Sequence, residues 1–149
     1  MLEDRFISAR DVTADASLRL LAWLLERGAD AFTVVVMAIH GEAAPVADAF
    51  EDALAPFALP PGDAHEMRRW ALTPESLAAL RPFVADGLFV CTVGPAGWLE
   101  DLAVYRRGAR VLGVDTHEGE AVLRLTPEEH AEVRALGVAS TESGERRDG

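Results

Sequence analysis

The fold is decided by residues 98–125, WLEDLAVYRRGARVLGVDTHEGEAVLRL. Apolar and β-branched side chains recur along this stretch, and two short turn sequences, Arg107-Gly108 and Glu118-Gly119, interrupt them. Short connections that contain glycine join antiparallel strands. The stretch therefore predicts a β-meander, with strands at Trp98–Arg106, Arg110–His117 and Glu120–Leu125.

Helix and strand patterns flank the meander on its N-terminal and C-terminal sides. Capping residues followed by first-turn acids or prolines mark three helix starts, at Thr13, Thr73 and Thr126. The apolar, β-branched run at residues 32–39 predicts a strand that is buried on both faces. Helices are expected at residues 13–27, 45–55, 74–81 and 127–137, and further strands at residues 67–72 and around Cys91.

These elements sum to an α+β fold in a single domain. The sheet is expected to be mixed or mainly antiparallel, with about five or six strands including the C-terminal meander, and about four helices accompany it. No linker composition interrupts residues 1–137, so we predict one globular domain there. The polar segment 138–149 is expected to be a disordered tail.

The composition excludes several kinds of chemistry. All 14 basic residues are arginine, so neither a lysine Schiff base nor the Gly-Lys-Ser/Thr phosphate loop can form. The single cysteine, Cys91, excludes an intramolecular disulfide and a multi-cysteine zinc site, and its apolar surroundings favour a buried hydrophobic role. Dinucleotide-binding, zinc-protease and nucleophile-elbow sequences are missing, so we expect no cofactor.

The net charge of −11 limits the partners that the chain can bind. Duplex nucleic acid favours basic proteins through counterion release, so nucleic-acid binding is disfavoured. The charge is uneven, because residues 28–67 contain seven acids and no arginine. The longest apolar run, residues 31–39, is far shorter than the ~20 residues that span a bilayer, and the acidic N-terminus lacks an apolar signal core. We therefore expect a cytoplasmic protein without a membrane anchor.

The helix predicted at residues 45–55 carries the clearest charge pattern. Phe50 and Leu54 belong to its apolar face, and three acids recur on the opposite face. These acids, Asp48, Glu51 and Asp52, are named the acidic stripe. Such a stripe is either a solvated helix face or a negative patch that steers a basic partner, and both interpretations stay open.

The meander supplies a second candidate site. If the Arg107-Gly108 loop has two or four residues, Glu100 faces Asp115 and Trp98 faces His117 on one side of the sheet. Facing carboxylates repel each other unless a proton, a cation or a base lies between them. Glu100, Asp115 and His117 then form an acid–base or metal-binding trio, with Trp98 as an apolar wall.

Other registers give this region simpler roles. A three-residue loop separates Glu100 from Asp115, and the Glu118-Gly119 turn places Asp115 diagonal to Arg124 as a surface ion pair. Three cations also lie near the first turn: Arg106, Arg107 and Arg110. These cations either hold a phosphate or a carboxylate, or protect the hairpin edge from pairing with other chains.

Two functions from different classes follow from these patterns. The first is a small acidic cytoplasmic domain, such as an immunity-type inhibitor or regulator, that binds a basic surface of another protein through its electronegative surface. The alternative is a small hydrolase or metal-dependent enzyme that uses Glu100, Asp115 and His117. A concave pocket around these three side chains favours the enzyme, whereas a flat sheet face favours protein binding.

Overall fold

The computed structural model describes residues 1–38, 45–60, 68–89 and 97–142. Its strands are β1 (Glu3–Ser8), β2 (Ala31–Ala38), β3 (Trp70–Ala71), β4 (Gly97–Arg106), β5 (Ala109–Asp115) and β6 (Glu120–Leu125). Its helices are α1 (Ala14–Glu26), α2 (Pro45–Leu54), α3 (Pro74–Leu80) and α4 (Pro127–Ala135). Short 3-10 turns occupy Ala9–Asp11, Ala55–Phe57 and Arg81–Phe83.

All six strands form one antiparallel sheet in the order β1-β6-β5-β4-β2-β3. The predicted α+β fold class is therefore confirmed within the described residues, and β4, β5 and β6 are consecutive neighbours. β3 lies at one edge, as predicted, but among the described residues it spans only Trp70–Ala71 and not the predicted 67–72. β1 forms the other edge, and it is not among the predicted strands, because charged side chains open it.

Side-chain caps begin three of the helices where the sequence predicts them. The Thr13 hydroxyl accepts a hydrogen bond from a first-turn amide of α1 at 3.1 Å. Thr73 forms a capping box with Ser76 at the start of α3. Thr126 forms another with Glu129 at the start of α4. The caps satisfy amide groups that a helix leaves without partners, so the polar residues locate the helix starts.

One face of the sheet carries the core. A row of cross-strand neighbours crosses five strands on this face, and each member is at most 1% exposed: Leu123, Leu112, Val104, Phe32 and Trp70. All four helices contribute buried side chains to the same hydrophobic cluster as this row. Cross-strand neighbours point to the same side of a sheet, so the helices cover this core face. We name the opposite side the open face.

The segment after α4 contacts the edge strand β1. Val138 is 1% exposed, and Thr141 exchanges two backbone hydrogen bonds with Phe6, at 2.8 and 2.9 Å. An Arg5 guanidinium nitrogen also lies 3.1 Å from the Glu142 carboxylate. Residues 138–142, which the sequence assigns to a tail, therefore pack on the domain, and the rest of that segment lies outside the described residues.

The strand predicted around Cys91 lies largely outside the described residues. The two described residues of that run, Leu88 and Phe89, form a turn after the short 3-10 segment. Leu88 is 5% exposed and joins the core. Its apolar character therefore serves burial without requiring a strand at this position.

Candidate functional site

The acidic stripe lies on the outer surface of α2. Asp48 and Asp52 are exposed and Glu51 is partly exposed, whereas Phe50 and Leu54 are fully buried. The predicted helical phase is therefore confirmed. Among the described residues, Asp48 and Asp52 have no ion pair and no hydrogen-bonded side-chain partner. Their charges consequently face solvent.

Arg68 lies against the acidic stripe. Its guanidinium pairs with the Glu51 carboxylate and lies 5.2 Å from the centre of the Trp70 ring. A guanidinium over an aromatic face gains from the ring quadrupole as well as from the carboxylate. Residues 28–67 contain no arginine, but Arg68, which leads into β3, lies next to α2 in the fold. Part of the charge of Glu51 is neutralised as a result.

An aromatic cluster fixes the inner face of α2. The Phe50 ring lies edge-on to Trp70 at 5.2 Å and to Phe83 at 5.3 Å, and Trp70 stacks on Phe32 at 5.6 Å. Edge-to-face and stacked rings at these distances each add ~0.5–1.5 kcal/mol beyond burial. The orientation of α2, and with it the direction of the acidic stripe, is therefore held by packing on β2 and β3.

The β4–β5 hairpin has the two-residue loop that the predicted trio needs. Arg107 and Gly108 form this loop with φ values of 53° and 80°. A β-bulge follows within β5, because the ladder with β4 skips Val111. One extra residue shifts the rest of the ladder by one position. The predicted alignment of Glu100 with Asp115 is therefore not formed, even though the loop length is the required one.

A second bulge lies in β4, where Asp101 and Leu102 both lie opposite Val34 of β2. The φ of Asp101 is 56°, a left-handed conformation that is uncommon outside glycine. The Asp101 amide donates to the Thr116 hydroxyl at 2.9 Å, and the Thr116 amide donates to the Asp101 carboxylate at 3.0 Å. These reciprocal hydrogen bonds hold the β5–β6 turn against β4.

The bulge and the turn bring Glu100 and His117 together. The Nε2 atom of His117 lies 3.0 Å from a carboxylate oxygen of Glu100. The Glu100 side chain is 11% exposed and that of His117 is 74% exposed, so a largely buried carboxylate meets a largely exposed imidazole. The backbone of Trp98 lies in β4 opposite Met37, and its side chain is outside the described part of the chain. Two members of the predicted trio therefore meet.

Asp115, the third member, has a different role. Its carboxylate accepts a hydrogen bond from the Glu118 amide at 3.1 Å and so closes the turn. Asp115 pairs with Glu120 across the ladder, because the turn has four residues and not two. The predicted diagonal ion pair between Asp115 and Arg124 is therefore wrong. The Arg124 guanidinium lies instead 3.8 Å from the Asp4 carboxylate in β1.

A small cavity borders the Asp101 bulge. Its volume is about 20 Å³, and Val34, Phe83, Leu88 and Leu99 are among the side chains that line it. This volume holds one water molecule, whereas small-molecule sites measure ~300–1,000 Å³. Within the described ranges, no group of three or more His, Cys, Asp or Glu side chains could hold a metal ion. Among the described residues, the contact between candidate site residues at this end of the sheet is that of Glu100 with His117.

Arg106 forms an ion pair within the fold, whereas Arg107 and Arg110 at the hairpin tip have no ion pair among the described residues. The Arg106 guanidinium donates to both carboxylate oxygens of Glu129, at 2.7 and 3.2 Å. These hydrogen bonds, together with that from the Thr126 amide, lower the pKa of Glu129 from 4.5 to about 2. Glu129 in turn raises the pKa of Arg106. Sequence reasoning misses this pair, because only the fold brings the hairpin tip to α4.

Comparison with known proteins gives no match: no family model, no curated protein and no solved structure is similar to this chain. Among the helices that the structure describes, none is long and apolar enough to cross a membrane. The function therefore has to be inferred from the acidic stripe and from the pair of Glu100 and His117.

Proposed function

We propose that this chain is a small acidic protein-binding domain, an immunity-type inhibitor or regulator, which recognises a basic surface of its partner through the acidic stripe. The contrast between the two faces of α2 carries this proposal. Asp48 and Asp52 face solvent without a described partner, whereas Phe50 and Leu54 are fully buried. The unneutralised charges are thus presented by a helix whose inner face is fixed.

The local charge supports recognition by long-range attraction. Asp48 and Asp52 add to a net charge of −11, while Arg68 offsets part of the charge of Glu51. Exposed charges of this kind act mainly on diffusional encounter, raising association rate constants from ~10⁵–10⁶ towards 10⁸–10⁹ M⁻¹s⁻¹ at low salt. At physiological ionic strength the field is screened over ~8 Å. The stripe should therefore govern association, and it should do so in a salt-dependent way.

A charge-neutralised variant tests this proposal. The immobilised chain captures partners from the source lysate at low salt, and their association and dissociation rates are then measured. The variant Asp48→Asn, Glu51→Gln, Asp52→Asn should slow association at least tenfold and change dissociation little. The matched control neutralises three other exposed acids, Glu75, Asp86 and Glu128, which gives the same net charge and leaves the stripe unchanged. Equal effects of the two variants on association would contradict the proposal.

The alternative function, a small hydrolase or metal-dependent enzyme, is supported by the contact between Glu100 and His117. A buried carboxylate that holds an imidazole at 3.0 Å leaves the other ring nitrogen free to accept a proton from water or substrate. The position of Asp115 and the one-water cavity count against this alternative. Protein binding through the acidic stripe is therefore the function that the geometry supports better.

NMR titration and hydrolysis assays test the enzyme alternative. The ring resonances of His117 are followed during titration with zinc and with magnesium, and hydrolysis of activated esters and phosphate esters is measured in parallel. An enzyme requires a metal-dependent shift or a hydrolysis rate that Glu100→Gln and His117→Ala abolish. We expect neither metal to shift the ring resonances and neither variant to change the background hydrolysis.

A further inference from the structure

The open face carries an apolar strip and no helix among the described residues. Cross-strand neighbours point to the same side of a sheet, so the ladder places one row of five residues there. The row has one residue on each of the five strands β2, β4, β5, β6 and β1, in this order: Thr33, Ala103, Gly113, Val122 and Phe6. Its two members on β2 and β4, Thr33 and Ala103, are buried, while Val122 and Phe6 remain partly exposed. The apolar surface that the row leaves accessible is therefore that of Val122 and Phe6, at the β6–β1 end of the open face.

Arg110 lies across this strip. A Cβ atom added to Gly113 would lie 3.1 Å from the Nε atom and 3.2 Å from the guanidinium carbon of Arg110. The guanidinium therefore lies flat over Gly113, in space that any other residue would fill. The backbone of Gly113 does not require glycine, because its φ is outside the left-handed region. Tyr105, the cross-strand neighbour of Arg110, lies beside it on the same face.

The Arg110 guanidinium is positioned but not neutralised. Arg110 is exposed, and among the described residues it has no hydrogen bond and no ion pair. Two other arginines of this sheet are engaged: Arg106 with Glu129 at 2.7 Å, and Arg124 with Asp4 at 3.8 Å. A planar guanidinium presents paired donors that match the geometry of a carboxylate. The guanidinium N–H groups of Arg110 are therefore available to hydrogen-bond an acceptor on another molecule.

We propose that the open face is a second protein-docking surface, on which Arg110 receives the carboxylate of an acidic side chain from a partner protein. The partly exposed side chains of Val122, Phe6 and Tyr105 provide apolar contact area around that ion pair. Aromatic residues and arginine are the side chains that dominate the energetics of protein interfaces. The complementary charge is a carboxylate and not a nucleic-acid phosphate, because a chain of net charge −11 repels a polyphosphate backbone.

This surface is independent of the acidic stripe. α2 packs on the core face through Phe50 and Trp70, so the two surfaces lie on opposite sides of the sheet. The simplest rival explanation is that Arg110 only shields its own sheet, as long basic side chains often do. The two explanations predict different binding preferences. If Arg110 only covers its own sheet, a ligand with a carboxylate binds no more tightly than one with an amide. If Arg110 binds a partner, the carboxylate is preferred.

NMR titration of the full chain with two peptides separates these explanations. Both peptides are short, blocked at their ends and rich in leucine and phenylalanine, and they differ only in one central residue, glutamate or glutamine. The glutamate peptide should shift the Gly113 amide and the Arg110 Nε–H resonances, and it should bind about tenfold more tightly than the glutamine peptide. Tenfold corresponds to ~1.4 kcal/mol, at the lower end for one charge-assisted hydrogen bond.

Two variants and two controls locate the effect. Gly113→Ala keeps every charge but displaces the guanidinium, and its Cβ meets only a flexible side chain, so the fold should persist. Arg110→Ala removes the guanidinium. Both variants should abolish the preference for glutamate. Arg124→Lys on the same face and the variant with a neutralised acidic stripe should preserve it, so that failure here is distinguishable from failure of the proposed function.

Several results would overturn the inference. Equal affinity of the two peptides would assign Arg110 to shielding, and shifts confined to the helical side of the sheet would place binding elsewhere. Inorganic phosphate that shifts the same resonances as strongly as the glutamate peptide would make the site a simple anion site. Concentration-dependent shifts of the chain alone, with a dimer in sedimentation, would assign the open face to a second copy of the chain.

Discussion

The ion pair between Arg106 and Glu129 makes stability depend on acid pH in a defined direction. The folded-state pKa of Glu129 is about 2, below its ordinary value of 4.5, because Arg106 and the α4 cap both stabilise the carboxylate. A group whose pKa falls on folding contributes stability above its unfolded pKa and loses that stability as the pH falls through the folded value. The contribution of Glu129 should therefore be complete at pH 7 and lost progressively between about pH 5 and pH 2.

The expected size follows from the geometry of the pair. A pKa change from 4.5 to about 2 corresponds to at most ~3–4 kcal/mol, since each pKa unit is worth ~1.4 kcal/mol. Solvent reaches both partners, whose side chains are 20% and 17% exposed, and it screens part of the attraction. We therefore expect a contribution of ~1–2 kcal/mol, which is typical of hydrogen bonds to charged groups.

The substitution Glu129→Gln isolates this contribution. Glutamine keeps the capping box with Thr126 but cannot carry the charge. The control Glu128→Gln removes an exposed charge from the same first turn of α4, where the helix dipole accounts for only a few tenths of a kcal/mol. Urea denaturation at pH 7, 4 and 2.5 gives the free energy of unfolding of each protein.

Glu129→Gln should lower the free energy of unfolding by ~1–2 kcal/mol at pH 7, and the difference from the unmodified chain should shrink towards pH 2.5. The control should change it by less than ~0.5 kcal/mol at every pH. A loss at pH 7 that is no larger than that of the control, or a loss that is independent of pH, would refute the assignment of the low pKa to this ion pair.

Three further substitutions test the packing and the turns. Phe50→Ala should cost ~3–5 kcal/mol in urea denaturation, because it empties a fully buried aromatic site; a cost below ~1 kcal/mol would contradict the burial of α2. Thr116→Val removes the hydroxyl that accepts from the Asp101 amide and should cost ~1–3 kcal/mol, whereas Thr116→Ser should recover most of that loss. Arg107→Gly should raise the free energy of unfolding by ~0.5–1 kcal/mol, because the loop residue has φ 53°; a decrease would show that Arg107 is not strained.

Local sequence signals predict most of the elements that surround the two sites. The caps at Thr13, Thr73 and Thr126 locate the helix starts because they satisfy amides that every helix leaves free. The phase of α2 follows from the apolar spacing around Phe50, because a helix with one buried face must repeat every 3.6 residues. Each of these features depends on residues that are close in sequence.

Two single-residue irregularities explain why the predicted trio is only partly formed. Val111 and Asp101 are each the extra residue of a β-bulge. The alternation of side chains in the sequence does not reveal the position of a bulge. The shifts bring Glu100 to His117 and leave Asp115 to cap its own turn. Long-range contacts, such as that between Glu100 and His117, depend on this register and not on local pattern.

The central claim is that the acidic stripe controls encounter with a basic partner, and the most direct measurement is the association rate constant of the captured partner as a function of ionic strength. For the unmodified chain the rate should fall steeply as salt rises. Neutralising Asp48, Glu51 and Asp52 should flatten this dependence, while the control that neutralises Glu75, Asp86 and Glu128 should keep most of it. An association rate that ignores both the salt concentration and the loss of the stripe would contradict the claim.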